Sequence, residues 1–76
     1  MSGHQVYRGQ WVVVTTVNND SFYGRCVWTN RHEMVLRSVA QLTEQGKMPL
    51  DGSVTISARA IVWVQLPGAG EDGELS

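Results

Sequence analysis

The segment Trp11-Val12-Val13-Val14-Thr15-Thr16-Val17 is β-branched or aromatic at every position, and it constrains the fold more than any other stretch of the chain. Branching at Cβ crowds a helical turn but suits a pleated surface, so this run predicts a strand. Asn18-Asn19-Asp20 follows, a cluster that tolerates positive φ, and Phe22 to Trp28 forms a second run. The two predict a hairpin. Gly24, inside the second run, predicts a sharp bend or a close backbone approach. Cys26 falls in step with Phe22, Gly24 and Trp28, which predicts a core position where it acts as a small hydrophobe rather than a nucleophile.

Thr29 to Glu33 is a polar connection into a third strand, Met34 to Val39. Ala40 to Leu50 is longer and polar, with Gly46 and Pro49, and leaves room for a helical turn over Thr43 to Lys47 but not for a stable helix. Ser53 to Ser57 alternates cleanly behind the Asp51-Gly52 turn signal, with Val54 and Ile56 on one face. Ile61 to Leu66 is apolar at nearly every position, as in a strand buried on both faces. Five short strands in an all-β chain imply a small, strongly bent barrel, because the edges of so small a sheet must be closed or covered.

A chain of 76 residues forms one small domain, which buries only about 60% of the surface its unfolded chain exposes. A single cysteine, Cys26, supplies neither an internal disulfide nor a structural zinc site, which leaves self-association as the expected source of extra stability. No apolar run approaches a membrane span, and Met1 to Gln5 is neither basic nor apolar, so the expectation is a cytoplasmic protein. Three of the seven acids, Glu71, Asp72 and Glu74, lie near the C-terminus, so residues 1–66 carry six cations against four acids. Five of the six cations are arginine, which favours planar and stacking contacts, but the surplus is small for a duplex-DNA binder. The expected organisation is an N-terminal arm over residues 1–8, a barrel over 9–66, and a disordered, Gly-rich acidic tail over 67–76.

The order and spacing of these runs resemble the Sm-like (LSm, Hfq-type) domain. The resemblance covers residues 9–66. Val12 to Val17, Asn18-Asn19-Asp20, Phe22 to Trp28 with Gly24 at the bend, and Met34-Val35-Leu36 correspond to the first Sm motif. Gly52 to Ile56 and Ile61 to Val64 correspond to a reduced second motif. The resemblance implies an all-β, five-stranded, strongly bent barrel, here with the family's N-terminal helix reduced or absent. It also implies a homo-oligomeric ring, a hexamer or heptamer, in which strand four of one subunit pairs with strand five of the next. Val54, Ile56, Val62 and Val64 are the interface candidates.

RNA-binding family members hold a base with an Asp and an apolar–Asn pair between strands two and three, and with an Arg-Gly pair between strands four and five. The matching positions here are Thr29, His32 and Glu33, and then either Ser57-Ala58 or Arg59-Ala60. This chain therefore departs from the usual uridine pocket. Asn30, Arg31, His32 and Arg59 are the candidates for single-stranded RNA, by stacking on imidazole and guanidinium and by reading a base edge through the Asn30 amide. The bland reading makes Thr29 to Glu33 a polar turn and Arg59 an exposed turn residue. Trp11, Trp28 and Trp63 are expected in the core or in subunit contacts, whereas Tyr7 and Tyr23 are expected at the surface.

Enzyme readings lack their parts. His4 and His32 make no metal-ligand spacing, no nucleophile elbow occurs, and no Gly-rich phosphate loop opens a helix. The expectation is a non-enzyme without catalytic residues, metal or cofactor. Two readings lead: a ring subunit that binds single-stranded RNA, or a ring that serves as a structural or protein-interaction module without RNA. A third, a monomeric barrel of another family, predicts that Ile61 to Leu66 alternates in burial.

Overall fold

The computed structural model describes residues 7–67. Six strands form one strongly bent antiparallel sheet: β1 (Trp11–Thr16), β2 (Ser21–Thr29), β3 (Glu33–Thr43), β4 (Gly46–Pro49), β5 (Val54–Ser57) and β6 (Ile61–Gln65). Its order is β4-β3-β2-β1-β6, with β5 also on β3. A three-residue 3-10 turn, Ala58–Ala60, joins β5 to β6, which do not pair with each other. The expected arm and tail, and the expected reduction of an N-terminal helix, fall almost entirely outside the described residues.

The β1–β2 hairpin is the one the residues dictate. Asn19 takes φ 68°, and its N–H donates to the Thr16 carbonyl at 2.8 Å. Gly24 stands where β2 bends. A Cβ there would lie 3.1 Å from the Arg37 carbonyl oxygen and 3.1 Å from Val39 Cγ2. The close approach expected of this glycine is thus real.

Three bulges reset which residues face inward. Between Tyr23 and Arg25 the partner strand β3 carries an extra residue, and nearby Ser38 adopts φ 54°. Between Cys26 and Trp28 the extra residue is Val27, and between Thr15 and Thr16 it is Val62 on β6. The Val27 bulge inverts the alternation of β2, so that Thr29 is buried and Trp28 is not. The core comprises Val12, Val14, Cys26, Met34, Leu36, Val39 and Ile56.

Several expectations are corrected here. Ala40 to Leu50 holds no helical turn: β3 continues to Thr43 and folds back as β4, pairing Thr43 with Gly46 and Ala40 with Pro49. That hairpin extends past the core, so polar residues suffice to build it. Both β4 and β5 lie along β3, and they amount to one bent fourth strand interrupted at residues 50–53, opposite the Ser38 bulge. Counted that way the barrel has the five strands expected. The tryptophans are not core residues within the chain: Trp11 is 44%, Trp28 43% and Trp63 57% exposed. Nor does the chain bury both faces of β6, because Ile61 and Val64 pack on the core while Val62, Trp63 and Leu66 are exposed.

Candidate nucleic-acid interface and subunit edges

Asn30, Arg31 and His32 occupy the connection between β2 and β3, and Arg59 sits in the middle of the 3-10 turn. These two segments are side by side, since the Ala58 N–H donates to the His32 carbonyl at 2.8 Å. The Asn30 side chain holds the connection in shape. Its Oδ1 accepts from the backbone N–H of His32 at 2.7 Å and of Glu33 at 3.0 Å. This is an Asx turn, and it occupies the amide oxygen that a base edge would otherwise use, leaving the two N–H donors. Arg31 Nε donates to His32 Nε2 across a long 3.4 Å, so guanidinium and imidazole lie together on an exposed loop. On the turn, the Arg59 N–H donates to Ser57 Oγ at 3.3 Å, which caps the turn and fixes where the Arg59 side chain departs.

Beside these residues lies a half-open cleft of about 200 Å³, walled by Tyr7, Met34, Ala58, Ile61 and Val64, with Thr29, Asn30 and Glu33 at its polar end. Arg31, His32 and Arg59 do not line it. Sequence reasoning missed the apolar wall because its residues come from separate segments, and only Tyr7 carried a signal, as an aromatic outside any strand pattern. The Glu33 carboxylate gives the polar end an acceptor and a negative charge. It repels phosphate, and it can accept from an amino or amide N–H.

The edges of the sheet are plainer. Among the described residues, β6 is paired only with β1, and both β4 and β5 only with β3. Of the four interface candidates, Ile56 belongs to the core, and Val54 and Val64 pack against it. Val62 alone is largely exposed, at 52%, and Trp63 and Leu66 flank it on the chain. Along β6 the exposed side chains are therefore Val62 and the residues near it, while β5 presents a backbone edge. Elsewhere, burial pushes the Cys26 thiol above its ordinary value near 9.0, against weaker lowering by the Trp28 carbonyl bond and the Arg8 charge. A protonated, buried thiol is a packing group, not a nucleophile.

The same architecture is found in solved proteins. A heptameric archaeal Sm protein superposes with a TM-score of 0.74 at 13% identity, over 82% of this chain and 91% of that one. The SmAP1 heptamer of P. aerophilum gives 0.74 at 13% identity, over 82% and 84%. A chain of the NatC complex bound to CoA gives 0.71 at 14% identity, over 82% and 80%. The sequence matches no protein-family model and no curated protein. The chain has the Sm-like fold.

Proposed function

We propose that this chain is a subunit of a homo-oligomeric ring of six or seven copies that binds single-stranded RNA without catalysing a reaction. The observation that carries the ring is the pair of one-sided edges, β5 and β6, with Val62, Trp63 and Leu66 exposed on or just past β6. An exposed strand edge flanked by large apolar side chains invites pairing with another chain, and a ring removes every such edge at once. Two of the structural neighbours being heptamers supports the same arrangement. Support for RNA is the adjacency of the Arg31–His32 loop and the Arg59 turn, joined by the Ala58–His32 backbone bond. Repeated around a ring, one weak site of this kind gains affinity by multivalency.

A native mass spectrum of protein purified without nuclease tests both parts. The expected result is a six- or seven-fold mass with additional mass that ribonuclease removes. A monomer overturns the ring. RNA affinity that survives His32→Ala together with Arg59→Ala overturns the site. A bare ring selects the second reading, a structural or protein-interaction module. What favours that reading is the Asn30 oxygen already engaged by backbone and the Glu33 carboxylate at the polar end of the cleft.

A further inference from the structure

Apart from Trp63, which pairs with Thr15 and so shares it, the outer face of the sheet is used by none of the features above, yet it carries most of the exposed aromatic and cationic side chains. Cross-strand pairing defines its rows. Val13, Tyr23 and Ala40 share one row, and Trp11, Arg25 and Arg37 the next. Beyond the Val27 bulge, Trp28 and Val35 form a third.

Along these rows each aromatic ring meets a ring or a cation. Trp11 stacks on Tyr23 with ring centroids 5.3 Å apart and planes at 21°. The Lys47 ammonium lies 4.9 Å from the Tyr23 ring centre, and the Arg8 guanidinium lies 5.0 Å from that of Trp28. Four of the six cations of the chain, Arg8, Arg25, Arg37 and Lys47, thus belong to this surface. The only carboxylate in the six strands is Glu33, at the first position of β3 and past the Trp28 row.

We propose that this face is a stacking platform for single-stranded nucleic acid, RNA or DNA alike, separate from the loop and turn. Exposed planar rings interleaved with cations, with no strand carboxylate between them, match a ligand that alternates flat bases with phosphates. A second copy of the chain fits poorly, because face-to-face contact would bring four cations against the same four. The platform recognises ring faces and phosphate charge, and the Thr15 and Ser21 hydroxyls on the same face hydrogen-bond to each other at 3.0 Å, so it takes either sugar. It belongs to each protomer and does not depend on the ring.

Fluorescence anisotropy with labelled oligo-uridine and labelled oligo-deoxythymidine tests this. Both oligomers are expected to bind, to quench tryptophan emission, and to weaken steeply as salt is raised. Trp11→Ala is expected to weaken both by roughly tenfold or more, and Arg25→Gln with Arg37→Gln to flatten the salt dependence. Lys47→Gln, on exposed β4, supplies a variant that leaves the core untouched, and circular dichroism confirms the fold of each. Wild-type affinity in both Trp11→Ala and Lys47→Gln overturns the platform. So does loss of both oligomers on His32→Ala with Arg59→Ala while the platform residues are intact. Displacement by poly-glutamate at matched charge overturns it too, and makes the face a docking surface for an acidic protein. If the platform variants lose binding and the loop–turn variant does not, the site assigned to the loop and turn falls and the platform stands.

Discussion

Gly24 shows how much one missing methyl can decide. Its neighbours across the bend, the Arg37 carbonyl and the Val39 side chain, lie where a Cβ would be crowded, and neither is the loose end of a long side chain. Gly24→Ala therefore forces β2 and β3 apart at the bend, and the expected cost is about 1–3 kcal/mol. For a domain of this size that lowers the melting temperature by about 4–8 °C per kcal/mol; an unchanged thermal melt contradicts the argument. This residue was legible in the sequence, because a glycine amid β-branched and aromatic neighbours asks for a backbone reason. The tryptophans were not. Counting every second residue from Cys26 places Trp28 inside, and the count fails at Val27, whose bulge nothing in the residue order announces.

Among the elements, the connection between β2 and β3 depends on one side chain. Asn30→Ala removes the acceptor for two backbone N–H groups, and the expected result is faster amide exchange at His32 and Glu33 with a loss of roughly 1 kcal/mol. Asn30→Asp keeps the acceptor and is expected to restore slow exchange; equal exchange in all three proteins would remove the turn from the account. The sequence marked this connection as polar and named its residues. That it lies against the 3-10 turn followed from the family resemblance, not from the residues, because the backbone bond between Ala58 and His32 spans chain segments whose order alone does not bring them together. The β3–β4 hairpin was illegible for a different reason. Its residues touch little of the core, so the apolar alternation that reveals a strand is absent from Gln41 to Lys47.

For the whole molecule, stability and assembly are expected to be linked. Seven buried apolar residues make a small core among the described residues, while Val62, Trp63 and Leu66 near β6 stand exposed, and the proposed ring would cover them. A melting temperature that rises with protein concentration is the expected sign. Val62→Lys places a charge at a position already 52% exposed in the single chain. It is expected to leave circular dichroism intact while lowering the mass in a native spectrum. An unshifted mass would move the joint away from Val62. The three bulges carry a wider consequence. They act on this sheet as shifts of frame act on a message, because beyond each one every side chain changes sides. Replacing a residue disturbs one position, whereas deleting one at a regularly paired position of a strand turns over every side chain beyond it; deleting Val27 instead closes its bulge and leaves Trp28 outward and Thr29 inward. Variation by substitution is therefore open to this chain along most of its strands, and variation in length is confined to its turns and bulges.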